Sequence, residues 1–210
     1  VPSEEPYHER KVTLLNGPHT VLSPVAYLSG VNIVRDACQH PVIGKYINKV
    51  MFEELMETLN LPKEELQQFA GDVLERFVNP FVDHQVTSIM LNSFPKYETR
   101  DLPGLKTYLQ RKGELPKGLV LGLAAIITYY KGGVREDGAE IVPNDAPEIM
   151  ALLKELWATG DTRKVAEGVL AEESIWKGNL NEIPGLTDLV VEYLDSIQAV
   201  GMLETVKGIV

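Results

Sequence analysis

Apolar residues recur at three- and four-residue spacing through most of this chain, and prolines and glycines cut that pattern into helix-sized lengths. Val21, Val25, Leu28 and Val31 trace turns of one helix over 21–38. His40-Pro41 marks a boundary, and Ile43, Tyr46, Ile47, Val50, Met51, Leu55 and Leu59 keep helical period over 42–59. Pro62-Lys63-Glu64-Glu65 starts another helix, its acids suiting the positive end of the helix dipole, and Asn79-Pro80 stops it. A further helix is predicted over 81–91, broken by Pro95. Asp101-Leu102-Pro103-Gly104 opens a short one that Gly113 closes. The stretch 116–130 is apolar on nearly every side and is the predicted central helix. Residues 131–147 have no period and read as a long loop with a hairpin around Glu136-Asp137-Gly138. Helices resume over 147–158, 161–172 and 185–206.

No alternating strand pattern of useful length is present. The expectation is an all-α, multi-helical single domain of roughly eight to ten helices over 1–210, with 1–9 a polar linker from a domain outside this chain. No Gly-x-Gly-x-x-Gly follows a strand, so a dinucleotide site would also lie outside it.

Composition narrows the function classes. A net charge of −10 argues against a nucleic-acid partner. No apolar run is long enough to span a bilayer, so no membrane role is expected. The single cysteine, Cys38, falls in an apolar run and reads as a buried small hydrophobe, which fits a reducing cytoplasm. The four histidines, His8, His19, His40 and His84, have no metal-ligand spacing, and no metal site is expected.

Candidate chemistry concentrates in Lys11-Val12-Thr13-Leu14-Leu15-Asn16-Gly17-Pro18-His19. On an α-helix Asn16 falls roughly 140° and His19 roughly 80° round from Lys11, one broad face, while Thr13 falls roughly 200° away. Pro18 has no N–H to donate and disturbs the helix there. Taken alone, these residues also describe a capped, solvated helix end.

The pattern Lys-x(4)-Asn-x(2)-His resembles the active-site signature of the polyol-specific long-chain dehydrogenases, the mannitol dehydrogenase family. The flanks Val-Thr-Leu-Leu-Asn-Gly-Pro-His-Thr and Pro-Val-Ala-Tyr-Leu-Ser-Gly look most like the uronate-reducing branch. The resemblance implies the helical C-terminal domain of an NAD-dependent oxidoreductase. NAD would be bound by a missing N-terminal Rossmann domain of the same polypeptide, and a sugar acid would be the substrate. It implies Lys11 as metal-independent general acid and base, Asn16 as oxyanion donor and His19 as a binder of substrate hydroxyls.

The resemblance continues through Arg76-Phe77-Val78-Asn79-Pro80 to Lys96, which it makes a substrate-binding position. Lys96 and Arg100 lie four apart in a proline-bounded turn and form a candidate carboxylate site. His84 is a weaker substrate-binding candidate. A helical interaction domain with no chemistry of its own remains the alternative from another class.

Overall fold

The computed structural model describes residues 4–210. The fold is all-α, with one two-stranded antiparallel ribbon. The chain opens with α1 (Glu5–Lys11), a π-helical turn (Val12–Asn16) and α2 (Gly17–Leu28). Next come α3 (Val34–Gln39), α4 (Ile43–Asn48), a second π-helical turn (Lys49–Leu55) and α5 (Lys63–Phe77). Three helices lead into the centre, α6 (Val86–Ile89), α7 (Ser93–Arg100) and α8 (Leu102–Lys112), followed by α9 (Lys117–Tyr129). After the ribbon β1 (Gly133–Val134) and β2 (Glu140–Ile141) come α10 (Pro147–Ala158), α11 (Thr162–Ala171), α12 (Glu173–Trp176), α13 (Leu186–Val200) and α14 (Met202–Lys207).

Helix α9 is the hub, as its composition predicts. Gly118 to Ile127 are all buried, and α2 and α13 pack against it. Burying each of its Leu, Ile and Val side chains is worth about 1.5–3 kcal/mol. The approach to α2 is close: a Cβ on Gly122 would stand 2.5 Å from Val21 Cβ. Three buried side chains from elsewhere hold the first turn of α9. Glu54, in the second π-turn, accepts from Gly118 N at 2.7 Å and Leu119 N at 2.9 Å. Tyr46 Oη donates to the Gly118 carbonyl at 3.0 Å and Tyr97 Oη to the Leu119 carbonyl at 2.9 Å. Glu54 therefore does from sequence-distant π-helical backbone what an N-cap does locally.

Several boundaries fall where the sequence places them. Helix α10 starts at Pro147 and ends at Ala158. The Asp161 carboxylate caps α11 by accepting from Arg163 N and Lys164 N, and Gly113 closes α8 at φ 75°. The hairpin around 136–138 forms, pairing Gly133 with Ile141 and Val134 with Glu140. Trp157 and Trp176 are anchors, their indole N–H groups bonded to the Ile127 and Val169 carbonyls. Cys38 is largely covered, and burial pushes its thiol up to about 12.

Other expectations need correction. Residues 5–9, read as a polar linker, belong to helix α1, and 1–3 lie outside the described residues. The predicted 21–38 helix is two, because Gly30 at φ 83° turns the chain between α2 and α3. The predicted 185–206 helix breaks at Gly201, φ 84°. The predicted helix over 81–91 shrinks to α6. Residues 81–85 are not helical, and 84–86 are bonded across to 32–34, through Val34 N to the His84 carbonyl (3.0 Å) and Val86 N to the Asn32 carbonyl (2.9 Å). Pro95 does not break a helix but sits in the first turn of α7, where its missing N–H is harmless. Lys96 and Arg100 are therefore one helical turn apart on α7 and not in a turn.

Removing the Glu54 carboxylate strands two buried N–H groups. Glu54→Ala is expected to cost about 2–4 kcal/mol, read as a lower urea midpoint at unchanged slope.

Candidate active site

The motif lies across the junction of α1, the first π-turn and α2. Gly17 N donates to the Val12 carbonyl, five residues back, which closes the wide turn. Pro18 follows with no N–H to restore the α pattern at once. The wider turn corrects the helical-wheel reading: residues five apart now stand roughly one turn apart, so Asn16 lies closer beneath Lys11 than a uniform α-helix would place it. Thr13 is buried and, with Val12 and Arg100, lines a cavity of about 600 Å³.

The three motif residues sit in different environments. Lys11 is exposed, and Asn16 and His19 are half-buried. Thr20 Oγ donates to the Asn16 carbonyl at 2.9 Å and Ser23 Oγ to the His19 carbonyl at 2.7 Å, so this part of the helix is held by its own hydroxyls. The His19 ring stacks on Phe77 with centroids 3.9 Å apart and meets the edge of His84 at 5.4 Å. Burial first, then the His84 charge, pulls the His19 imidazole down to about 4, with Arg100 acting in the same direction. One ring nitrogen bonds the Leu15 carbonyl, which opposes the shift. A neutral imidazole that donates there keeps its second nitrogen as an acceptor. His19, Arg76, Phe77 and His84 line a cavity of about 180 Å³.

Arg100 reaches the same helix from α7, its guanidinium donating to Thr20 Oγ at 3.3 Å. Lys96, one turn earlier, donates to the Ile89 carbonyl at 2.7 Å. Burial and then the nearby Arg100 charge hold the Lys96 ammonium below its ordinary range. The turn before α7 is fixed by Asn92 in the left-handed region (φ 50°) and by Ser93 N donating to Tyr130 Oη at 3.1 Å. Tyr130 in turn donates to Asp145. Among the described residues Lys11, Arg76, Lys96 and Arg100 have no salt bridge, while Arg10, Arg35, Arg135 and Arg163 each pair with an acid. Nor does any group of three metal-ligating side chains converge among them.

The structure thus brings His19, His84 and Arg100 into one electrostatic neighbourhood, with Lys96 coupled to it through Arg100. Lys11 ends α1 and Asn16 ends the π-turn that follows it. Phe77, the platform for His19, is the residue that sequence reasoning passed over. It was visible as part of Arg76-Phe77-Val78-Asn79-Pro80, but nothing in sequence spacing pairs it with His19.

A family model, the mannitol dehydrogenase C-terminal domain, matches residues 4–198, and the chain belongs to that family. An altronate oxidoreductase of Phocaeicola vulgatus is 86% identical over 209 residues, covering 100% of this chain and 44% of that protein. A Bacillus subtilis altronate oxidoreductase is 42% identical, over 94% of this chain and 40% of its own length. The chain thus spans less than half of these relatives. The structure of Pseudomonas fluorescens mannitol 2-dehydrogenase, a ternary complex with NAD and D-mannitol, superposes with a TM-score of 0.86 at 23% identity. That match covers 99% of this chain and 41% of the other, and it establishes a shared fold.

The lowered His19 value links stability to pH. The folded protein binds fewer protons than the unfolded chain between pH 6.5 and about 4. The contribution is complete above pH 6.5 and is lost as pH falls through that window. His19→Gln is expected to flatten the acid limb of the stability curve there, removing up to about 3 kcal/mol of pH-dependent change, measured by urea denaturation at stepped pH.

Proposed function

We propose that this chain is the substrate-side domain of an NAD-dependent dehydrogenase that interconverts D-altronate and D-tagaturonate in the cytoplasm. NAD, held by a preceding domain of the same polypeptide, supplies the hydride chemistry when bound, and no residue of this chain is assigned to it. Lys11 takes the proton from the reacting hydroxyl in oxidation and returns it in reduction. Asn16, about one turn away, donates its amide to the same oxygen as charge develops. Neutral His19 accepts from a neighbouring sugar hydroxyl and fixes its orientation. Arg100 holds the carboxylate, with Lys96 adding positive potential and His84 closing the edge.

One observation carries the reading. In a chain of net charge −10, Arg76, Lys96 and Arg100, which have no salt bridge among the described residues, gather near His19, where a neutral polyol would need none. That favours a sugar acid over mannitol, and the altronate oxidoreductase relatives point the same way. Lys11 is exposed in this chain, so the desolvation that lysine acid–base chemistry uses must come from the domain that covers it.

In the full-length enzyme Lys11→Ala should lower kcat for altronate about 100-fold or more with NADH affinity retained, followed at 340 nm and by NADH titration. Wild-type turnover in that variant would remove Lys11 from the chemistry. Arg100→Ala should raise KM for altronate about 10-fold or more, the cost of a charge-assisted bond, and leave KM for a neutral polyol nearly unchanged. Equal effects on both substrates would make Arg100 a packing residue.

A further inference from the structure

Asp101 joins α7 to α8 immediately after Arg100, and it is 0% exposed. Neither carboxyl oxygen has a hydrogen-bond partner among the described residues. Its backbone is already committed, with N bonded to the Tyr97 carbonyl and the carbonyl accepting from Leu105 N, and its side chain does not cap α8. Burying an acid so is costly unless it stays neutral, and burial does push the Asp101 carboxyl well above the carboxylate range. A small apolar side chain would avoid that cost, so burial alone does not account for an acid at this position.

The carboxyl faces the motif. A Cβ placed on Gly17 would stand 2.8 Å from Asp101 Oδ1, while its other neighbours, Leu55 Cδ1 at 3.5 Å and the Arg100 carbonyl at 3.6 Å, are ordinary contacts. One acid oxygen therefore reserves position 17 for glycine. Gly17 supplies the N–H that closes the π-turn and sits between Asn16 and His19.

We infer that Asp101 is a positioning residue: its carboxyl, packed on Gly17, holds the α7–α8 junction that carries Arg100 in register with the turn that carries Asn16 and His19. The inference rests on the dehydrogenase reading for its kinetic consequences, and on geometry alone for the contact itself.

A size swap in the full-length enzyme tests it. Gly17→Ala drives a methyl into Asp101 Oδ1 and should lower kcat/KM for altronate at least 10-fold, with a raised KM. The double variant G17A/D101A vacates that volume and should recover most of the loss. Asp101→Asn, uncharged and of the same shape, should stay within about threefold of wild type with an unchanged pH profile. The His19 imidazole resonances in NMR should shift in G17A and return in the double variant. Normal kcat and KM in G17A would overturn the inference. So would a double variant no better than G17A, or melting temperatures that fall while KM for altronate holds. If the wild-type enzyme proves inactive on altronate but the His19 resonances follow the swap, the substrate reading fails and the positioning role stands.

Discussion

The hydrogen bond from Gly17 N to the Val12 carbonyl is the constraint on which the site's geometry depends. It spans one residue more than an α-helical bond, so the helix between Lys11 and Asn16 is wider than its neighbours. Had the α pattern continued, Asn16 would stand roughly 140° round from Lys11, and the wide turn reduces that angle. Pro18 keeps the wide turn from relaxing back, because the donor that would restore regular bonding is absent from its backbone. The sequence Asn16-Gly17-Pro18-His19 thus works as one device. Glycine allows the close approach of the α7–α8 junction, proline stops the register from resetting, and the polar residues on either side emerge at angles that a regular helix would not give them.

Charge is distributed with the same economy. Most arginines are matched to acids, Arg10 to Glu65 in a part-buried pair and Arg163 to Asp188 in an exposed one, and an exposed pair contributes little to stability. Near His19 the matching stops. Arg76, Arg100 and Lys96 bring positive charge to a small region of an acidic protein, and the Arg100 charge adds to burial in lowering both the His19 imidazole and the Lys96 ammonium. Repulsion of this kind destabilises the empty fold and is relieved by an anion, the arrangement expected of a binding site and not of a helix-packing surface.

Much of the architecture was legible because it depends on local signals. Asp161 and Gly113 bound their helices through side-chain capping and positive φ, and α9 declares itself by having no polar face. The failures are where tertiary pairing overrides periodicity. Residues 81–85 carry enough apolar character to suggest helix, yet they form none, because Gln85 pairs with Ile33 and the backbone of 84–86 bonds to 32–34. Both π-turns were invisible for the same reason, since a widened turn keeps an apolar period close to that of the α-helix it interrupts. At the site, Lys11, Asn16 and His19 were readable as a motif. The stacking of His19 on Phe77 and the contact of Asp101 with Gly17 were not, because each joins residues more than fifty positions apart with no compositional trace.

The two buried acids of the chain, Glu54 and Asp101, show how such contacts divide their work. Glu54 meets two N–H groups at the start of α9, so its charge is partly compensated even though burial lifts it to about 7. That contact serves the hub and would be as useful in a protein with no active site. Asp101 has no such compensation, and what it touches is the glycine between Asn16 and His19. An unfavourable burial that makes no hydrogen bond is thus placed against the backbone between Asn16 and His19. The fold tolerates Asp101 because α9 and its caps supply the stability elsewhere.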